Sequence, residues 1–224
     1  MQTKSKNCKG INLAKGYGCG KDTFKRTYGL CPSCLYDFYT NNENGKVIFE
    51  KRKLKVKTTK EKAFKSDLRE KLKTLSEYAK ELQKEVNTIV RLIDKGGCCI
   101  STLKPLNDKF DAGHMYSVGS NPALRFHLDN IHAQSVYANQ YLSGDQINYL
   151  NGLSHFYGEE YKDYVLSLKS RYKVLKLDKE DYKEKIQIAK EIVKELKSID
   201  RECYSRLDRL TIRKEFNQRL GIYG

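Results

Sequence analysis

Eight apolar residues, Leu68, Leu72, Leu75, Ala79, Leu82, Val86, Ile89 and Ile93, recur at alternating steps of four and three, and they constrain this chain more than any other feature. A 3.5-residue period puts all eight on one helical stripe that must be covered by something. Gly96-Gly97 ends the pattern. The spacing predicts a single helix over residues 58–95, a rod of roughly 55 Å at 1.5 Å per residue. Two covers are open: a second copy of the chain, giving a homodimer through a coiled coil over 68–93, or the chain's own C-terminal helices.

Charge adds a partner. The 224 residues carry a net +15, with 32% charged and 39% hydrophobic residues. A polyanion such as nucleic acid is the expected partner for such a balance, ahead of a membrane surface. The charge is unevenly spread: residues 46–95 hold 16 basic and 8 acidic groups (+8), whereas residues 96–157 hold 3 and 4 (−1). Lys51, Arg52, Lys53, Lys55 and Lys57 form the densest run and are candidate phosphate contacts. Near-neutral sequence between basic flanks is what a cation site between phosphate-gripping segments requires. The N-terminus lacks an apolar signal core, and no run of about eighteen apolar residues occurs, so a cytoplasmic protein with no membrane span is expected.

Four of the seven cysteines, Cys8, Cys19, Cys31 and Cys34, fall within the first 34 residues. Cys31-Pro-Ser-Cys34 precedes a helix-like run and Cys19-Gly20 has a knuckle form. In a reducing compartment such thiols are better read as ligands of a structural Zn²⁺ than as disulfides. The ten-residue gap after Cys8 makes it the odd member of the set. A redox pair is the rival reading, but the strand-helix-strand context it needs is missing.

Further on, residues 109–115 read Lys-Phe-Asp-Ala-Gly-His-Met, an aspartate and a histidine three apart after an apolar stretch. Gly119-Ser-Asn-Pro122 reads as a turn between two extended runs, and Asn130 as the cap of a helix from Ile131 to about Leu142. On that helix His132 and Asn139 would share a face. Asp178 opens a capping box with Asp181, and a last helix is expected from about Ile199 to Leu220, with Arg201, Arg206, Arg209, Arg213, Lys214 and Arg219 as a plausible phosphate-facing surface. The organisation expected is therefore 1–45 zinc finger, 46–97 basic heptad helix, 98–157 hairpin-and-helix module, and 158–224 charged helices. The fold class is mainly α with a small α+β part.

The order Asp111, His114, a turn, Asn130 and Asn139, followed by Ser143-Gly144, resembles the ββα-metal finger of HNH endonucleases. More narrowly, the string from Cys99-Ile-Ser through Asp-Ala-Gly-His-Met, Leu-Arg-Phe and Asn-Ile-His-Ala-Gln resembles the phage NinG (Rap) family of recombination endonucleases. The resemblance implies DNA phosphodiester hydrolysis in branched substrates such as Holliday junctions and displacement loops. It implies His114 as the general base, Asn130 holding that histidine in register, and Asp111 with Asn139 or His132 on Mg²⁺ or Mn²⁺. Arg125 would contact phosphate. The chain departs from the family where paired cysteines clamp the finger with zinc: the two positions read Cys99-Ile-Ser-Thr102 and Ser135-Val-Tyr-Ala138. No zinc is expected there. A non-catalytic DNA-binding protein on a degenerate finger is the alternative.

Overall fold

The computed structural model describes residues 5–24, 26–199 and 201–223. It is mostly helical, with two small two-stranded antiparallel sheets. Its contacts divide the chain into two compact units, with the boundary between Leu72 and Lys73.

In the first unit, β1 (Lys6–Asn7) pairs with β2 (Asp22–Thr23), and a 3-10 turn at Asn12–Ala14 lies between them. Pro32 opens α1 (Pro32–Asn41), and the Cys31 side chain caps it by accepting from the Cys34 amide. Proline suits this place because the first helical N–H has no intrahelical partner to lose. After Asn42 the chain continues as α2 (Glu43–Leu72). A small core of Cys8, Ala14, Leu30 and Phe38 holds the unit together.

The second unit contains α3 (Leu75–Asp94), β3 (Phe110–His114), β4 (Ile131–Ser135), α4 (Gln146–Tyr157), α5 (Glu159–Arg171), α6 (Lys179–Ser198) and α7 (Arg206–Leu220). Its larger core joins Tyr78, Leu82, Val86, Ile89 and Ile93 of α3 to Ile186, Ala189, Ile192, Val193 and Leu196 of α6. Ala112 of β3 and Ile131 of β4 pack on the same cluster. A second cluster, including Tyr149, Leu153, Val165 and Leu168, sits between α4 and α5. The capping box expected at Asp178 forms: its side chain accepts from the Glu180 and Asp181 amides, and Asp181 returns a bond to the Asp178 amide.

Three expectations are corrected. The rod over 58–95 is two helices, because Thr74 caps α3 by accepting from the Glu77 amide while Glu77 accepts from the Thr74 amide. That reciprocal pair satisfies donors that a continuous helix would have bonded internally. The apolar stripe is thereby divided: Leu68, Leu72 and Leu75 are exposed, while Ala79 to Ile93 are buried, mostly against α6. The intramolecular cover is realised along α3, and that part of the stripe is not free for a second copy.

The helix expected from Ile131 is instead β4, in register with β3 from Phe110↔Ser135 to His114↔Ile131. Asn130 cannot cap it, since its amide side chain is already bonded to Tyr116 and Leu124. Only Tyr137–Tyr141 is helical, as one π-type turn. The final helix starts at Arg206, capped by Ser205, and not near Ile199; Asp200 lies outside the described residues. Arg209 and Arg213 face inward from α7 rather than toward solvent, so they leave the expected basic surface.

Candidate functional site

The four N-terminal cysteines converge. Their Sγ atoms all lie within 4.8 Å of one another, and the Cys19 and Cys31 sulfurs are 3.9 Å apart. Zinc–sulfur bonds of about 2.3 Å in a tetrahedron imply sulfur separations of about 3.8 Å. The long Cys8–Cys19 gap is explained by the β1–β2 pairing, continued by the Cys8 amide donating to the Lys21 carbonyl and the Gly20 amide to the Cys8 carbonyl. The Cys31 amide also donates to the Cys8 sulfur at 3.0 Å. Cys34 is pushed up to about 12, first by its bond to Cys31 and then by burial. A divalent metal reverses that sign, since a coordinated thiol is deprotonated. The cluster could therefore hold a metal such as zinc.

In the second unit the site is built on β3, which pairs with β4. The Asp111 carboxylate oxygen Oδ2 accepts from the Asn139 amide at 2.9 Å and from the Gln140 amide at 2.8 Å. The π-type turn is what brings both amides to one carboxylate, and it sets the exposed rings of Tyr137 and Tyr141 as a stacked pair beside them. Gly113 shares the Asp111 face, and a Cβ there would lie 2.0 Å from the Gln134 side-chain oxygen, so a larger residue would have to displace that amide. That oxygen is buried and bonded to nothing, while the Gln134 nitrogen donates to Ser101 and to the Gly144 carbonyl.

His114 is three residues from Asp111, so in an extended strand the two side chains leave opposite faces. Its Nε2 lies 3.1 Å from the Arg125 carbonyl. A carbonyl can only accept, so Nε2 carries the hydrogen and Nδ1 keeps its lone pair. Burial, with the nearby Arg125 charge, holds this imidazole below its ordinary pKa of 6.5, against the raising effect of the carbonyl bond. It is therefore neutral at pH 7.

Asn130 is completely buried and ties the ends of the β3–β4 connection together. Its Oδ1 accepts from the Tyr116 amide, and its Nδ2 donates to the Tyr116 and Leu124 carbonyls. Behind it, Arg213 of α7 donates to the Leu128 and Ile131 carbonyls and to Asp94. Asp94 in turn accepts from the Ala133 amide on β4. The sequence offered no sign of this support, since an arginine on a charged helix reads as surface.

The remaining expected residues fall elsewhere. His132 is on β4, not on a helix with Asn139, and is buried among tyrosines, with Nδ1 2.9 Å from the Tyr149 hydroxyl and Nε2 3.2 Å from that of Tyr161. Burial, then the Arg213 and Arg209 charges, hold it well below 6.5. Both ring nitrogens are engaged, and the structure brings Asn139, but not His132, against the Asp111 carboxylate. Arg125 donates from Nε to Gln83, and its carbonyl, not its charge, touches His114. Lys51, Arg52, Lys53, Lys55 and Lys57 are all exposed on α2; Arg52 donates to the Tyr39 hydroxyl and lies over Tyr28, and Lys53 bonds Glu50. At the departed zinc positions, the Cys99 sulfur accepts from the Thr102 and Ser135 amides, and the Ser135 hydroxyl accepts from the Ala138 amide.

The family model described as Bacteriophage Lambda NinG protein matches residues 3–200. This chain belongs to the NinG family. It is 33% identical over 120 residues to protein ninG of Escherichia phage lambda, covering 52% of this chain and 59% of that one. To protein ninG of Enterobacteria phage H19B it is 35% identical over 102 residues, 46% and 51% of the two chains, and to that of Salmonella phage P22 38% over 78 residues, 35% and 38%. The chain thus spans little more than half the length of the curated NinG relatives it matches. No solved structure matches. Among the described residues of this NinG protein, no helix is long and apolar enough to cross a membrane.

Proposed function

We propose that this NinG protein is a divalent-metal-dependent endonuclease acting on branched DNA. The observation that carries the reading is the placement on one strand, three residues apart, of a carboxylate gripped by amides, Asp111, and a neutral, carbonyl-anchored imidazole, His114. His114 takes the proton of the attacking water at Nδ1, a role suited to an imidazole held neutral near pH 7. The Arg125 carbonyl fixes its tautomer, and Asn130 fixes the loop from Met115 to Asp129 behind it.

The Asp111 carboxylate and the Asn139 side chain offer oxygen donors of the kind Mg²⁺ and Mn²⁺ prefer, once the Asn139 amide turns its oxygen inward. Such an ion, when bound, would neutralise charge developing on the scissile phosphate. The exposed lysines of α2 and the +15 net charge support a phosphate-backbone partner. Branch selectivity is what membership of a phage recombination family suggests, and a cytoplasmic setting goes with it.

One observation favours the rival reading of a DNA-binding protein without catalysis: Oδ2 of Asp111 already satisfies two amides without any ion. Cleavage of a labelled four-way junction and of linear duplex of matched sequence, in Mg²⁺ or Mn²⁺, separates the two. Junction cutting by the wild type that is lost in His114→Ala, with binding retained, is the expected result. Tight binding with no cutting in either metal overturns the catalytic reading.

A further inference from the structure

Between α5, α7 and the segment before β4 lies a half-open cavity of about 440 Å³ that the proposed cleavage chemistry does not use. Its walls are aromatic: Tyr161, Tyr164, Tyr172, Tyr223 and the His127 ring. His127 lies 4.7 Å from Tyr223 and 5.6 Å from Tyr172, centroid to centroid, and Tyr172 meets Tyr223 edge to face at 5.1 Å. The volume falls within the range of about 300–1,000 Å³ typical of small-ligand sites. Aromatic walls of this density favour a flat, polarisable guest over an aliphatic one.

The polar groups narrow the guest further. Asp129 and Asn217 are buried in the lining, where Asp129 accepts from the Tyr161 hydroxyl at 2.7 Å and from the Asn217 amide at 2.9 Å. His127 Nδ1 lies 3.7 Å from the same carboxylate and the Tyr164 hydroxyl also faces it, and a carboxylate's two oxygens have room for one further donor, a ligand N–H. Lys214 and Gln218, both exposed, stand at the opening on α7. The site thus offers ring faces, an acceptor inside and a cation at the rim. Those are the complements of a base face, an exocyclic amino group and a backbone phosphate.

We infer that this cavity receives one unpaired nucleobase from a branched or single-stranded DNA, with Lys214 on the adjoining phosphate; the inference rests on the DNA reading above. The cavity wall from His127 to Asp129 lies in the chain between Arg125, whose carbonyl holds His114, and Asn130. A base seated there anchors the strand close in sequence to the cleavage residues. This would supply a preference for branched DNA that carries an unpaired base over continuous duplex, because only such a substrate can fill the cavity without first breaking a pair.

The test uses the full chain and a three-way DNA junction carrying two unpaired nucleotides at the branch, one of them 2-aminopurine. The controls are the same junction with an abasic unit at that position and a fully paired duplex. The expected result is quenching of 2-aminopurine on binding, an affinity lowered about tenfold or more by the abasic unit, and equal loss in Tyr172→Leu with duplex affinity unchanged. Lys214→Gln, an exposed change that leaves the core alone, should weaken binding of the unpaired junction about threefold or more while the duplex is less affected. Equal affinity for the base-bearing and abasic junctions in the wild type overturns the pocket and leaves the DNA reading standing. No binding of any of the three DNAs overturns both.

Discussion

Arg213→Met tests whether the second unit is organised as described. The Arg213 side chain is fully buried, and it donates to Asp94 Oδ2 at 2.7 Å, to the Leu128 carbonyl at 2.5 Å and to the Ile131 carbonyl at 2.7 Å. Burial works against its charge, but Asp94, Asp129 and the surrounding tyrosines outweigh that and raise its pKa. It remains a cation at any working pH. Methionine fills similar space without donors, so it leaves the Asp94 carboxylate buried with the Ala133 amide as its main partner and removes the Arg213 donor from the Ile131 carbonyl and from the Leu128 carbonyl, which keeps the Ile131 amide. Breaking a buried pair from one side costs about 3–5 kcal/mol. At about 2–4 °C per kcal/mol for a unit of this size, the melting point should fall by about 6–20 °C.

The decisive control is the double variant Asp94→Leu with Arg213→Met. Removing both charges leaves no uncompensated ion, so the double variant should be more stable than Arg213→Met alone despite carrying one change more. Urea unfolding followed by circular dichroism gives all four corners of that cycle. A loss below about 1 kcal/mol for Arg213→Met, or a double variant no better than the sum of the singles, would refute the claim that this pair supports the β4 end of the site.

Three shorter tests follow. His114, His127 and His132 are all held below 6.5, chiefly by burial; each is protonated more readily unfolded than folded, so their contribution is complete above pH 6.5 and is lost as pH falls from 6.5 toward the lowered values. Urea midpoints should drop between about pH 7 and 5 and drop less in His132→Phe; equal slopes in the two proteins would sink the idea. Purified protein should contain about one zinc per chain, and chelation should unfold the first unit, seen as new protease cuts between Lys6 and Asn41, while the second unit resists; intact resistance of the first unit without metal would count against the cluster as its staple. Asn130→Ala should cost about 2–4 kcal/mol, since Tyr116 and Leu124 lose buried partners, and should abolish junction cutting at temperatures where the protein remains folded; unaltered cutting would remove Asn130 from the site.

What was legible in the sequence followed from local rules. The four-cysteine cluster, the Asp178 capping box and the α3 stripe were each signalled by spacing. The break at Thr74 was also written there: Thr-Leu-Ser-Glu77 is a capping box, but an unbroken heptad outweighed it. The β4 strand was missed for a physical reason. Ile-His-Ala-Gln-Ser does alternate apolar and polar residues, but the run is short and Asn130 before it reads as a helix cap; its polar positions do not face solvent either, since His132 is covered by tyrosines of α4 and α5 and Gln134 is buried.

The inward arginines and the tyrosine cavity show the other limit. Arg209, Arg213 and Asn217 lie on one face of α7 at steps of four, a pattern indistinguishable in sequence from a solvated stripe. What turns that face inward is the junction of the β3–β4 connection with β4, where the Ile131 carbonyl, and the Leu128 carbonyl beside the Ile131 amide it already accepts, call for a side-chain donor. A helix carrying an arginine and an asparagine one turn apart meets that need, with Asn217 accepting from the Leu128 amide as Arg213 donates to its carbonyl. The same docking sets Lys214, Asn217 and Gln218 around the cavity. Seating α7 against the loop that holds Asn130 therefore builds both the support for His114 and the pocket beside it, so Asn217→Leu should disturb base capture and cutting together, whereas Lys214→Gln should disturb base capture first.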